Sequence, residues 1–130
     1  MKLHRLFVVA ICTLVFGLFG GTAWAAEEIM SVSVSFDFAV EGATLPAGTY
    51  GVVVDSSRGS VALRDDRTGN ITRLSVVTRV ADVGRNKAYL VFDKARGSYS
   101  LSEIHIPGMD GYALAGATGE HEHVKVPSAG

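Results

Sequence analysis

A strict two-residue rhythm between Met30 and Val40 constrains the fold more than any other feature of the sequence. Apolar side chains occupy every even position of this stretch, whereas serines and an aspartate fill most of the odd positions. Successive side chains of a strand point to opposite faces, so the rhythm predicts one long strand with a buried face and a solvated face. A helix would scatter the same apolar residues around its circumference.

The rest of the chain repeats this pattern in shorter pieces separated by turns rich in Gly, Asp, Asn and Ser. Short connections favour antiparallel neighbours, because a parallel crossover needs about a dozen residues. We therefore predict an all-β fold: a single antiparallel β-sandwich or a small, partly open barrel of six to seven short strands, after an N-terminal signal helix. The further predicted strands are Tyr50–Asp55, Ser60–Arg64, Ile71–Val80, Ala88–Asp93, Tyr99–Ile106 and a weak terminal strand, His121–Val126.

In one predicted strand the apolar residues move from odd to even positions part-way along. Tyr99 and Leu101 share one parity, whereas Ile104 and Ile106 share the other. A single extra residue near Ser102-Glu103 would restore one apolar face, so the sequence predicts a β-bulge at this point.

The first 25 residues have the pattern of a cleavable signal peptide. Lys2 and Arg5 precede an apolar run, and Ala23-Trp24-Ala25 fits a signal peptidase site. The run is shorter than a membrane span, and Cys12 lies inside it, without the small preceding residues that lipid attachment requires. We predict a signal peptide over 1–25, a β-domain over 26–126, a frayed tail over 127–130 and export to the periplasm or the medium, with no stable membrane span after cleavage.

The composition after cleavage excludes several classes of protein. Removing Lys2 and Arg5 from the 12 basic residues leaves 10 against 13 acidic ones, a net charge of −3 with histidine neutral, which disfavours nucleic acid as a partner. The single cysteine leaves with the signal peptide, so disulfides, thiolate metal ligands and a cysteine nucleophile are excluded. The remaining length fits one domain.

The strand and turn motifs resemble those of small exported β-rich proteins of soil bacteria, of the acidobacterial type. The resemblance implies fold and export, and it carries over no catalytic residue. A shorter stretch, Leu45 to Tyr50, is also similar to a turn and strand of prealbumin-like extracellular modules. The motifs that carry the first resemblance are Phe36-x-Phe38-x-Val40, Leu45-Pro46-Ala47-Gly48-x-Tyr50, Leu90-Val91-Phe92 and Tyr99-x-Leu101-Ser102.

His121-Glu122-His123 is the sharpest chemical feature. An H-x-H pair on a strand places both imidazoles on one face, which suits a metal ion. His105 lies on another predicted strand and could supply a third nitrogen if the two strands pair. Three imidazoles would favour zinc or copper. The alternative is that both histidines simply meet water.

Other candidates are weaker. Asp65-Asp66 with Asn70 offers oxygen ligands for calcium but lacks the order of ligands in a calcium loop, so a solvated hairpin turn is the better interpretation. Arginines recur every six residues and could bind an anion, although nearby acids would neutralise them; a solvated face is the default for such a pattern. The arginines in this row are Arg67, Arg73, Arg79 and Arg85.

No motif of nucleophilic catalysis or phosphate binding occurs in the sequence, so no catalytic or cofactor-binding residue is predicted. Our leading expectation is a non-enzymatic exported domain that binds an unknown protein or envelope partner. The first alternative is a periplasmic zinc or copper protein that uses His121, His123 and His105. The second is a small hydrolase with a dispersed site. The sequence leaves the oligomeric state open.

Overall fold

A computed structural model describes residues 26–81 and 87–129, and all regular structure in these ranges is β-strand. The signal peptide, Arg85 and all of the predicted 84–87 turn except Lys87 lie outside the described residues. The described part contains no apolar helix long enough to span a membrane. The strands are β1 Glu27–Val34, β2 Phe38–Val40, β3 Ala43–Leu45, β4 Gly48–Asp55, β5 Ser60–Asp65, β6 Ile71–Leu74, β7 Val76–Val80, β8 Tyr89–Ala95, β9 Ser98–His105, β10 Gly111–Leu114 and β11 Glu122–Pro127.

Two sheets enclose one core, so the predicted all-β fold is confirmed, and of the two predicted architectures the structure has the sandwich. The first sheet has the order β1-β4-β5-β6, and the second has the order β11-β8-β9-β10-β7, with β2 and β3 attached beside β9. Apolar side chains from both sheets form a single buried cluster, as expected where two half-buried sheets face each other. Its fully buried members include Phe38, Tyr50, Leu63, Leu90, Phe92, Leu101 and Ile104.

The predicted long strand between Met30 and Val40 is in fact two strands in different sheets. β1 ends at Val34, and the chain bends before β2 begins at Phe38. Phe36 lies in the bend and stacks on Tyr99, with ring centroids 3.8 Å apart. The rhythm continues through the bend because both sheets face the same core, and the alternation of side chains therefore cannot reveal where a strand changes sheet.

The predicted strand Ile71–Val80 divides in the same way, at Ser75, into β6 of the first sheet and β7 of the second. Glu41 holds this corner: its carboxylate accepts hydrogen bonds from the Ser75 amide at 2.7 Å and from the Ser75 hydroxyl at 3.1 Å. These two corners account for part of the difference between the eleven observed strands and the six or seven that we predicted.

The β-bulge predicted near Ser102-Glu103 is confirmed. Val91 pairs with Glu103 and Phe92 pairs with Leu101, so Ser102 is the extra residue of β9. Its buried hydroxyl donates a hydrogen bond to the Val91 carbonyl at 3.1 Å. The bulge allows Leu101 and Ile104 to reach the same core despite their opposite parities.

Two further features differ from the expectations. β2 and β9 form one parallel contact, Ala39 opposite Ser100, although we expected antiparallel pairing only. The loop-length argument concerns strands joined directly, and these two are far apart in sequence. The turn residues around Asp110-Gly111 also lead into an unpredicted strand, β10, whose four residues are too few to show a clear period.

The C-terminal tail is held in place where we expected fraying. Pro127 is the last residue of β11. The amide of Ser128 donates to the Ala88 carbonyl at 2.9 Å, and the amide of Ala129 donates to the Ser31 carbonyl at 2.8 Å. The tail thus connects the second sheet to β1, the edge strand of the first.

The turn before β4 is locked by Tyr50. Its ring is buried in the core, and its hydroxyl donates to the Pro46 carbonyl at 2.5 Å. Burial, followed by the nearby Asp65 carboxylate, raises the pKa of the Tyr50 phenol. Asp37 completes the turn by accepting the Ala47 amide at 2.9 Å.

Residues 115–121, which we call the crossing segment, connect β10 to β11. These strands lie on opposite sides of the β8–β9 pair, so the segment must pass over that pair. Gly116 makes the closest approach: a Cβ atom there would lie 2.1 Å from Asp93 Oδ2 and 3.0 Å from Ser102 Cβ. The segment therefore covers Asp93 on the face of β8 opposite the core.

Candidate metal centre

Asp93 is a buried acid on a central strand. It lies on β8, opposite Ser100 of β9 and His123 of β11, and its side chain is only 5% exposed. The four residues before it, Tyr89 to Phe92, are all apolar and buried. A buried carboxylate is costly unless it is paired or binds a cation. The structure therefore places a carboxyl group at the end of an otherwise apolar run of β8.

The two histidines of the H-x-H pair converge on this carboxylate. His123 Nδ1 lies 3.0 Å from Asp93 Oδ1, and His121 Nε2 lies 3.7 Å from Asp93 Oδ2. The two imidazole rings are nearly perpendicular, with centroids 5.0 Å apart. One ligand atom from each of the three side chains falls within 4.8 Å of the others, the arrangement of a group that could hold one metal ion.

The separations from the Asp93 carboxylate are close to those between ligands around a zinc ion, although they involve its two different oxygens. Two ligand atoms about 2.1 Å from a tetrahedral ion lie roughly 3.4 Å apart. The two separations from Asp93, 3.0 and 3.7 Å, fall on either side of this value.

Contacts with the backbone orient the first histidine and the carboxylate. His121 Nδ1 lies 2.7 Å from the Gly119 carbonyl oxygen, which can only accept, so Nδ1 carries the proton. In the neutral ring, Nε2 then presents a lone pair towards Asp93. Gly119 adopts a φ of +83°, which L side chains rarely adopt. The Ala117 amide donates to Asp93 Oδ2 at 3.0 Å. Such backbone contacts behind the ligands are typical of metal sites.

Asp93 Oδ1 is buried and has no hydrogen bond among the described residues. His123 Nδ1 lies within range of it, so the N–H direction of the ring must miss the oxygen. When an imidazole binds a tetrahedral ion, its nitrogen lone pair points at the ion. This direction is about 35° away from the line that joins the nitrogen to a neighbouring ligand atom. A cation between these two atoms would satisfy Oδ1 and account for this direction; the 3.0 Å separation also fits an ion pair with a protonated His123.

His105 does not join this group. It lies opposite Tyr89, four residues along β8 from Asp93 and thus roughly 13 Å away. Its ring stacks on Tyr89 at 4.4 Å between centroids, and its Nε2 lies 3.4 Å from Glu103 Oε1. The structure brings together two of the three predicted histidines and supplies Asp93 in the place expected for His105.

The two weaker candidates behave as ordinary surface features. Asp65 Oδ1 accepts the Arg67 amide at 2.9 Å, inside the hairpin turn that follows β5. The arginines do not form one surface: Arg73 lies on β6 of the first sheet, whereas Arg79 lies on β7 of the second. Arg79 donates to the Gly111 carbonyl at 2.9 Å and sits 4.3 Å above the Tyr112 ring.

An open groove of about 750 Å³ borders the three-residue group. One wall is the end of β8 and the turn that follows it, residues 94–97. The other is residues 117–122, which comprise the end of the crossing segment and the first residue of β11. His121 contributes to its lining, so the group is reached from solvent on this side. His123 is also accessible, with 62% of its side chain exposed.

The chain matches no protein-family model, no curated protein and no solved structure.

Sequence reasoning missed Asp93, although a signal for it was present. A run of apolar residues with no polar alternation is typical of a strand buried on both faces. Asp93 closes such a run and is buried with it, and the neighbouring strand that carries H-x-H supplies imidazoles at the same level. The pairing of β11 with β8 could not be read from the sequence.

Proposed function

We propose that this protein is a non-enzymatic, exported domain that binds a divalent transition-metal ion through Asp93, His121 and His123. The observation that carries the proposal is the buried oxygen Oδ1 of Asp93, which lacks a hydrogen bond while two imidazole nitrogens converge on its carboxylate. A cation provides the missing partner for this oxygen.

The donor set narrows the choice of ion. Two imidazoles and one carboxylate form a mixed nitrogen and oxygen set, which suits zinc and copper(II) and disfavours calcium, because calcium takes six to eight oxygen ligands. Zinc accepts three protein ligands together with one small molecule. We therefore propose zinc as the first ion to test and copper as the second.

The test is metal uptake by the purified mature domain, residues 26–130, measured by calorimetry and by metal analysis after gel filtration. We expect one zinc ion per chain at micromolar or tighter affinity. The double variant His121→Ala/His123→Ala should lose this uptake, whereas His105→Ala should retain it, since His105 lies outside the group. Equal uptake by the double variant and the parent would refute the proposal.

The exported location is supported by the signal-peptide pattern of residues 1–25. Its test is N-terminal sequencing of the protein recovered from the periplasm and the medium of cells that express the full chain. We expect the first residue to be Ala26. Recovery of the chain with Lys2 and Arg5 still attached would contradict export by cleavage.

A further inference from the structure

The three-residue group leaves part of a metal ion's coordination shell open. Among the described residues, only Asp93, His121 and His123 bring ligand atoms together at this position. Zinc takes four ligands, and sites with three protein ligands keep one position for water or an exogenous molecule. With one ligand atom from each side chain, the fourth ligand comes from outside the group.

Of the three ligand residues, His121 lines the groove, so the charge of the groove bears on what could reach an ion bound there. Lys94 and Arg96 line it together with Glu120 and Glu122, so its lining carries no net charge. Asp93 adds one negative charge to the site without metal. A bound divalent ion changes the net charge of the site from one negative to one positive, which favours an anion.

We propose that the open position takes an oxyanion, a carboxylate or phosphate oxygen, which enters through the groove and is held there jointly by the metal ion and Arg96. The proposal rests on the proposed metal site and names the class of ligand that the site takes. Because the lining without metal is balanced, binding of the oxyanion depends on the ion.

The test uses the mature domain loaded with cobalt(II), whose visible absorption reports its inner coordination shell. Titration with acetate represents a carboxylate, and titration with inorganic phosphate represents a phosphate. We expect the cobalt spectrum to change and saturate with at least one of them, and the stronger anion identifies the source. The domain without metal should show no binding of either anion by calorimetry.

Arg96→Ala should weaken the anion about two- to fivefold while cobalt affinity stays constant, as expected for one partly solvated charge. Arg73→Ala, an exposed arginine of the other sheet, is the matched control and should change neither quantity.

The outcomes separate the two proposals. If cobalt does not bind, both the metal site and the oxyanion site are wrong. If cobalt binds but neither anion alters its spectrum, the metal site stands and the oxyanion site is refuted. If an anion binds equally well to the domain with and without metal, the metal ion takes no part in binding it. If an anion binds Arg96→Ala as tightly as the parent, Arg96 takes no part. Either result refutes joint binding by the ion and the groove.

Discussion

On the face of β8 away from the core, Tyr89 lies at one end and Asp93 lies towards the other, and each has a histidine of a neighbouring strand beside it. The two ends differ in the contacts that these side chains make. At the Tyr89 end, His105 stacks on the tyrosine ring and lies 3.4 Å from Glu103, while the Lys125 ammonium lies 5.2 Å from the ring centre. At the Asp93 end, two histidines meet one buried carboxylate that keeps an oxygen without a hydrogen bond.

The partners of a polar group, rather than its residue type, therefore mark a binding site. His105 looks as suitable as His121 in the sequence, yet its neighbours already provide contacts. At the Asp93 end a charged side chain is buried and one of its oxygens lacks a hydrogen bond, and a buried polar atom without one is costly. The Tyr89 end therefore serves as a built-in control for the Asp93 end.

The largest expected effect comes from removing the charge at the Asp93 end. Asp93→Asn keeps the shape of the side chain but removes its charge and one of its oxygens, so zinc affinity should fall by at least about 100-fold. Glu103→Gln makes the equivalent change beside His105 and should leave zinc affinity unchanged. Calorimetric titration of both variants measures the contrast, and an equal loss in the two would break the comparison.

Zinc should stabilise the folded domain through the Asp93 end alone. Free zinc at 100 times its dissociation constant adds about 2.7 kcal/mol to the free energy of unfolding, because it binds only the folded form. For a domain of this size, the midpoint of thermal unfolding should rise roughly 10 to 20 °C. A chelator should reverse the rise in the parent and in His105→Ala. His121→Ala/His123→Ala should show no rise; a similar rise in this variant would mean that zinc acts elsewhere.

A smaller effect is expected from the crossing segment. The Cβ atom of Gly116→Ala would collide with Asp93 Oδ2, so the segment must shift away from β8. We expect a loss of about 1 to 3 kcal/mol in stability, typical of overpacking, together with weaker zinc binding. Gly48→Ala is the matched control, since its Cβ atom would have only an ordinary contact with Tyr50 at 4.0 Å. Chemical denaturation and zinc titration provide the two measurements, and unchanged behaviour of Gly116→Ala would show that the segment tolerates displacement.

The smallest effect belongs to the Tyr89 end. Lys125→Ala removes the ammonium near the tyrosine ring and should cost about 0.5 to 1 kcal/mol of stability, the usual value for an exposed cation–π contact. Zinc affinity should not change, because Lys125 pairs with Val91 and projects from β11 two residues beyond His123. A marked loss of zinc binding in this variant would mean that the two ends of β8 are coupled.

The sequence was sufficient for the fold class because hydrophobic alternation follows directly from burial of one face. It also located the bulge at Ser102, since an extra residue shifts the parity of every apolar residue after it. It could not locate the corners at residues 35–37 and at Ser75, where the alternation continues while the chain changes sheet.

The candidate site was only partly predictable for a related reason. The relation between His121 and His123 is local, and a period of two places them on one face. The relation between His123 and Asp93 depends on which strand β11 joins and in what register, and that choice is made by the whole sheet. For the same reason we expected His105 at the site. Its strand, β9, in fact pairs with the side of β8 opposite to β11.

The hydrogen bond from the Ala129 amide to Ser31 has a practical consequence for protein engineering. Because Ser31 lies four residues from Glu27, Glu27 and Ala129 are separated by roughly 13 Å. A short flexible linker can join them, and new ends can be opened in the exposed turn between β4 and β5. The domain is thus well suited to circular permutation and to insertion as a module within a surface loop of another protein.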